Sequence, residues 1–398
     1  MHDPDGLTGQ VDADGCADQV ETVGTAGPVD IGPLRVWPPV VLAPMAGITN
    51  AAFRSLCRQF GAGLYVSEMA TARGIVEDWP RSREISHFAP DEKPRSIQLY
   101  ATDPHWTALA VEKLVGASRV DHIDLNFGCP VRKITRKGGG AALPLRRRLF
   151  RDIVAAAVGR AGKVPITVKM RLGVDHGLFT FLEAGRIAEG EGAAAVALHA
   201  RTAAMLYSGR AEWDRIGELK AAVTSIPVLG NGDIFAADDA LAMIRRTGCD
   251  GVVIGRGCLG RPWLFRELAD LFDGRTPSSP PKLGEVAGVM TEHARLLVHL
   301  RGEALAMPEF RKHAGWYVTG YAVSPAERRA LCRVNGLIEL EKLLAALDPS
   351  LTVDSEILRA PRGKSGKPQK VSLPEGFLVD RDDPTPIGAE PLTALSGG

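Results

Sequence analysis

Eight short runs of β-branched and apolar residues recur along the chain with stretches of helical spacing between them, and this alternation limits the fold more than any other feature. The runs are Val40-Val41-Leu42-Ala43, Leu64-Tyr65-Val66-Ser67, Ser96-Ile97-Gln98-Leu99, His122-Ile123-Asp124-Leu125, Ile166-Thr167-Val168-Lys169, Ala195-Val196-Ala197-Leu198, Pro227-Val228-Leu229-Gly230 and Gly251-Val252-Val253-Ile254. Residues 51–60, 103–115, 149–161, 181–191, 213–223 and 236–247 carry apolar positions at three- and four-residue spacing, as helices do. Strands alternating with helices imply a parallel sheet, and eight such units in succession imply an α/β fold closed as a (β/α)8 TIM barrel.

After the eighth run the strand signal stops. Residues 283–299, 304–319, 325–334 and 336–347 read as helices, with Pro308, Gly320, Ser324-Pro325 and Asn335-Gly336 as turn residues. The expected organisation is a barrel over 35–272 and a small all-helical C-terminal domain over 273–350, entered through a linker bearing Pro277, Pro280 and Pro281. Residues 1–34 are Asp/Gly-rich without periodicity, and 351–398 are Pro/Gly-rich, so both are expected to be disordered tails. The run Arg359, Arg362, Lys364, Lys367, Lys370 in the second tail has two readings, a solvated segment or an auxiliary RNA-binding arm.

Charge is segregated along this layout. The whole chain has 48 Lys+Arg against 47 Asp+Glu, yet residues 1–34 hold seven acids and no Lys or Arg, and 35–350 hold 42 basic and 33 acidic residues. A basic body suits a polyanionic partner, which the near-neutral total conceals. No apolar run approaches the ~18 residues of a membrane span. The acidic start is unlike a signal peptide, and the six cysteines form no Cys-x-x-Cys pair, so no metal or disulfide framework is expected. The setting implied is cytoplasmic, and the chain is expected to be a monomer.

Barrel enzymes carry chemistry at the C-terminal ends of their strands. Here those ends are polar nearly throughout: Pro44-Met45-Ala46-Gly47, Glu68, Gln98, Asn126 to Pro130, Lys169 and Arg171, His199 and Arg201, Gly230-Asn231-Gly232-Asp233, and Gly255-Arg256-Gly257. Packing alone does not call for so many polar residues there, which points to an active site. The glycines at 255, 257 and 260 are weak evidence for a Rossmann turn, since no further strands follow. They read instead as the anion site that barrels build after their last two strands, with Arg256 adding a charge-assisted contact. Lys169 shares a strand face with Arg171, and a cation in the mouth needs an anion such as a reduced flavin ring. Gln98 and Asn231 could meet the ring's amide and carbonyl groups. Cys129 stands between Gly128 and Pro130, followed by Arg132, Lys133, Arg136, Lys137, Arg146, Arg147, Arg148 and Arg151 with no acid from 125 to 151. Together with Gly138 to Gly140 this describes a mobile basic loop over the site, suited to a phosphate backbone.

These motifs resemble the tRNA-dihydrouridine synthase family, the bacterial B-type branch above all. The resemblance rests on Ala43-Pro44-Met45-Ala46-Gly47-Ile48-Thr49, Val66-Ser67-Glu68-Met69, Asn126-Phe127-Gly128-Cys129-Pro130, Arg136-Lys137-Gly138, Lys169-Met170-Arg171, His199-Ala200-Arg201-Thr202, Gly230 to Asp233, Gly255 to Gly257, Gly260 to Trp263 and Arg311 to Tyr317. It implies FMN on Pro44, Met45, Ala46, Gln98, Lys169, His199, Asn231, Gly232, Asp233, Gly255 and Arg256, with NADPH or NADH as reductant. It implies Cys129 as catalytic acid toward a D-loop uridine of tRNA, and Asn126 and Arg171 beside the substrate. Arg132, Lys133, Arg136 and Lys137, and Arg311, Lys312 and His313 of the helical domain, would meet the tRNA. Two other readings stay open at this point: a dihydroorotate dehydrogenase-like flavin barrel, and a flavin-containing RNA binder without catalysis. The basic loop and helical appendage disfavour the first, and the joint presence of Cys129, Lys169 and His199 disfavours the second.

Overall fold

All eight apolar runs are strands, and they close on one another. The computed structural model describes residues 27–363 and 366–387. Strands β1 (Val29–Ile31) and β2 (Leu34–Val36) form an antiparallel hairpin. The barrel follows as β3 (Val40–Leu42), β4 (Leu64–Thr71), β5 (Ser96–Tyr100), β6 (His122–Phe127), β7 (Ile166–Arg171), β8 (Ala195–His199), β9 (Val228–Asn231) and β10 (Gly251–Ile254), all parallel, with β10 returning to β3. Helices Ala51–Gln59, Pro104–Gly116, Arg147–Ala161, Phe181–Gly190, Asp214–Ala222, Ala237–Thr247 and Leu264–Phe272 cover its outside.

The period-two geometry of a strand divides each run between two cores. Val40, Leu42, Ile97, Leu99, Ile123, Leu125, Val168 and Met170 pack outward with Phe53, Phe150 and Leu219 of the helices. Val41, Ala43, Leu64, Val66, Ala195, Ala197, Leu229 and Val253 face inward. That inner lining is closed from below by Val29, Ile31 and Val36 of the hairpin. The boundary expected at residue 34 therefore falls too late, because alternating apolar residues around the Gly32-Pro33 turn plug the barrel. Residues 1–26 of the expected acidic tail lie outside the described region.

Helices Leu283–Arg301, Glu303–Tyr317, Pro325–Leu331 and Leu337–Ala345 form the C-terminal unit around its own core of Leu283, Met290, Leu297, Met307, Phe310, Leu331 and Leu340. Pro308, expected as a turn residue, lies inside the second of these helices. A proline there removes one helical hydrogen bond, but the flanking Ala306, Met307 and Phe310 are fully buried and keep the helix continuous.

The expected disorder beyond Leu351 does not hold for the described residues. Leu358 joins the helical core, Arg362 is buried with its guanidinium donating to the carbonyls of Leu259 and Trp316, and Phe377 is buried against Ala142, Leu145 and Val174. From Gly366 to Ile387 the chain runs as a strap across the loops that follow β7, β8, β6 and β5. No helix among the described residues is long and apolar enough to cross a membrane.

Candidate active site at the barrel mouth

On β5, β6 and β7 the inward positions are polar, and register sets them side by side: Ser96 beside His122, Gln98 beside Asp124, Asp124 beside Thr167, and Asn126 beside Lys169. The result is one hydrogen-bonded chain rising through the barrel. Ser96 Oγ lies 2.7 Å from His122 Nδ1, and His122 Nε2 lies 2.9 Å from Thr167 Oγ1, which donates to Asp124 Oδ1 at 2.6 Å. Gln98 Nε2 donates to Asp124 Oδ2 (2.7 Å), and Asn126 Nδ2 donates to Gln98 Oε1 (2.7 Å). Asn126 Oδ1 then accepts from the backbone N–H groups of Gly128 (3.1 Å) and Cys129 (3.0 Å). Burial drives the His122 ring down to about 3, so it is neutral, and pushes Asp124 up to about 6.

Above these residues a cleft opens with about 570 Å3 of space not filled by atoms, open solvent included. Nine of the eleven residues expected to hold a cofactor line it: Pro44, Met45, Lys169, His199, Asn231, Gly232, Asp233, Gly255 and Arg256. Ala46 lies half-buried on the loop after β3, outside the lining, and Gln98 is buried within the hydrogen-bonded chain. Lys169 Nζ donates to Asn231 Oδ1 at 3.0 Å, and Asn231 Nδ2 to the carbonyl of Val253 at 2.7 Å. Burial brings Lys169 down to about 8 against the attraction of Asp124. Burial, helped by Arg171 and Lys169, also holds His199 well below its ordinary value, which keeps the ring neutral.

The carboxylate of Asp233 faces protein groups. It receives both ends of the buried Arg201 guanidinium (2.8 and 2.7 Å), the Ala211 amide (2.7 Å) and Arg256 Nη2 (3.2 Å). Asp233 therefore orients two arginines at the cleft. The Arg256 guanidinium also lies over the rings of Tyr207 (4.6 Å) and Phe235 (5.6 Å), two lining residues that sequence reading misses. Both come from loops, where no periodicity marks a residue's direction.

Cys129 stands on the loop after β6, its thiol raised by burial against a weaker opposing pull from Arg171. The thiol is accordingly protonated at neutral pH. Arg171 is buried beneath it, donating to the carbonyls of Gly128 (2.9 Å), Thr202 (3.0 Å) and Leu206 (3.0 Å). Burial lowers its pKa to about 10, which leaves it charged.

The basic loop expected to be mobile is packed. Ile134 and residues 138–145 are buried, and a Cβ on Gly140 (φ 57°) would stand 2.5 Å from the Cys129 carbonyl oxygen. Of its eight cations, Arg132, Lys133 and Arg136 are exposed and Lys137 is half-buried on or beside the short helix Arg132–Thr135. Arg146 and Arg147 instead pair with Asp383 and Asp382 of the strap, and Arg151 with Glu191 at 3.8 Å.

In the helical unit the three expected tRNA contacts separate. His313 is fully buried against Phe53, His293 and Trp316, where no ligand on the surface can touch it. Lys312 Nζ donates to the Gly47 carbonyl at the mouth, and Arg311 donates to the Val334 carbonyl (3.0 Å) and Asn335 Oδ1 (2.6 Å). Successive residues of a helix are about 100° apart, so three in a row cannot share one face.

The family model for dihydrouridine synthase (Dus) matches residues 41–351. A protein of Mycobacterium tuberculosis named probable tRNA-dihydrouridine synthase is 54% identical over 379 residues, covering 92% of this chain and 96% of the relative. The tRNA-dihydrouridine synthase B of Pseudomonas syringae pv. tomato is 41% identical over 314 residues, covering 79% and 91%. With the strand-end residues gathered at one mouth and matches of this extent, the chain belongs to the dihydrouridine synthase family.

Proposed function

We propose that this protein reduces the C5–C6 double bond of uridines in tRNA, with FMN in the cleft and NADPH as reductant. The observation that carries the reading is a thiol that burial keeps protonated, Cys129, three residues after Asn126, which pairs in register with the cleft-lining Lys169. The cleft fits a flavin on its own chemistry. Lys169 is a half-buried cation whose hydrogen-bond partner among the described residues is a neutral amide oxygen, so an anionic ring edge would complete it. At the other end a Cβ on Gly255 would meet nothing nearer than Ala43 Cβ at 3.8 Å and Met45 Sδ at 4.0 Å, and Arg256 is held beside it. That suits a phosphate.

Lys169 and Asn231 would hold the ring, and Gly232, Gly255 and Arg256 the phosphate. When bound, FMN supplies two-electron chemistry, carrying hydrogen with its electron pair from NADPH to C6 of the uracil. Cys129 Sγ gives the one proton needed, to C5, and is reprotonated from solvent. A thiol suits this step because it is acidic enough to donate yet remains protonated at neutral pH. Asn126 fixes the loop that carries the thiol, through the Gly128 and Cys129 amides. Arg132, Lys133, Arg136 and Lys137 would meet phosphates of a tRNA whose uridine has left its stack.

The test is mass spectrometry of tRNA from a deletion strain. Dihydrouridine should be missing, return with the wild-type gene and stay missing with Cys129→Ala. Its return with Cys129→Ala would remove the assigned proton donor. Dihydroorotate turnover without tRNA reduction would favour the dihydroorotate dehydrogenase-like reading.

A further inference from the structure

The four backbone groups around Cys129 are all held. Arg171 Nε donates to the Gly128 carbonyl (2.9 Å), Asn126 Oδ1 accepts from the Cys129 amide (3.0 Å), and the Ala141 amide donates to the Cys129 carbonyl (3.0 Å). The fourth hydrogen bond comes from the strap: Gln369 Nε2 donates to the Pro130 carbonyl at 2.8 Å and reaches the Ala203 carbonyl at 3.2 Å. Its own amide donates to the Ala204 carbonyl at 2.8 Å, which fixes Gln369 to the loop after β8.

Further along, the strap grips the rest of the same loop. Phe377 stacks under the Arg146 guanidinium (4.7 Å) and occupies the place where a side chain on Gly138 (φ 86°) would stand. Arg146 Nε donates to the Phe377 carbonyl (3.0 Å), the Arg147 amide to the Arg381 carbonyl (2.7 Å), and Arg381 Nε to the Leu145 carbonyl (3.1 Å). Asp382 and Asp383 meet Arg147 and Arg146, and the Ile387 amide donates to the Thr102 carbonyl (3.1 Å). The strap thus binds the catalytic loop by side chain, backbone and charge at once, and it lies beyond the residues matched by the family model, which end at 351.

We propose that residues 366–387 are a clamp that sets the position of the proton-donating loop, with Gln369 as the positioning residue for Cys129. This rests on the reaction proposed above. A proton donor must stand within hydrogen-bond reach of its acceptor, and a displacement of about 1 Å costs on the order of 100-fold in rate. Gln369 joins the loops after β6 and β8 at the residue following the cysteine, where removing one hydrogen bond changes the direction of the thiol without touching the substrate.

Two substitutions test this in the full-length holoenzyme: Gln369→Ala, and Gln369→Glu, which keeps the shape but cannot donate to a carbonyl. Alkylation of Cys129 by iodoacetamide, followed on its peptide by mass spectrometry, reads the loop without reference to any reaction. It should speed up roughly 10-fold or more in both variants. Turnover of tRNA should fall about 10- to 100-fold with KM for tRNA and the rate of flavin reduction by NADPH unchanged, and the melting temperature should remain within a few degrees of wild type. Unchanged alkylation, unchanged turnover, or a loss confined to KM for tRNA would each overturn the clamp. If wild-type protein makes no dihydrouridine, the reaction is wrong while the alkylation result still decides whether Gln369 holds the loop.

Discussion

Lys169 offers a quantitative check on the proposed flavin site. Burial brings its pKa from 10.5 to about 8. A folded-state pKa below the unfolded value means that the native protein binds fewer protons between those limits. Unfolding free energy must therefore rise with pH across that window, and the protein carries the penalty below it. At about 1.4 kcal/mol per pH unit, the penalty at pH 7 is about 3 kcal/mol, reduced in practice because the side chain keeps part of its surface open to the cleft.

Between pH 7 and pH 9 the recovery amounts to about 1.4 kcal/mol. Other groups titrate over the same range, so the measured quantity is the difference between wild type and Lys169→Met, from urea unfolding of cofactor-stripped protein followed by circular dichroism. That difference should grow in favour of wild type by about 1 kcal/mol from pH 7 to pH 9. Loss of Lys169 also removes an attraction that holds Asp124 down, which lowers the variant's stability as pH rises and acts in the same direction. Saturating reduced FMN under anaerobic conditions should flatten the wild-type response, because an anionic ring edge beside Lys169 restores its proton. A flat difference without the flavin, or one that reduced FMN leaves unaltered, would refute the buried-cation argument or the placement of a flavin against it, respectively.

Three further outcomes follow from the packing and charge. Arg132→Ala with Arg136→Ala should lower the steepness of tRNA affinity against log salt by about 1.5, roughly 0.7–0.9 for each phosphate left without its cation, in filter binding from 50 to 200 mM salt. Arg147→Ala should leave that slope unaltered, because Asp382 and Glu183 already occupy its guanidinium. Ile31→Ala should cost about 2–5 kcal/mol in urea unfolding, as large-to-small changes in a core do, since Ile31 is 1% exposed at the floor of the barrel; a cost below 1 kcal/mol would show that the hairpin is not part of that core.

The barrel was legible because its strands obey one rule repeatedly: outward positions are apolar, and the C-terminal ends are polar. Lys169 and Arg171 could be placed in one mouth from their spacing alone, and register puts Lys169 next to Asn126. Where the rule does not apply, sequence reading failed. His313 is implied by the resemblance as a tRNA contact beside Arg311 and Lys312, yet Ala306, Met307, Phe310, His313, Ala314 and Tyr317 fall on the buried face of their helix. The strap has no period at all. Gln369 and Phe377 anchor it, as Arg362 anchors the segment before it, and their partners lie more than 40 residues away in sequence. Pro and Gly there mark an extended path whose order comes from partners elsewhere in the chain.

The polar half of the barrel interior has a direction that follows from two fixed ends. Backbone N–H groups of Gly128 and Cys129 can only donate, so Asn126 must turn its oxygen toward them and its nitrogen toward Gln98. Gln98 must then accept with its oxygen and donate with its nitrogen, which requires an acceptor at Asp124. From below, Thr167 gives its one proton to Asp124 and so accepts from His122 Nε2–H, leaving Nδ1 to accept from Ser96. Both halves converge on the Asp124 carboxylate, the point at which every donor in the chain is satisfied. Burial opposes that charge and Lys169 supports it. The cation at the cleft floor thus does two things: it offers a partner to an anionic ligand, and it favours the ionised Asp124 on which the orientation of the amides beneath Cys129 depends.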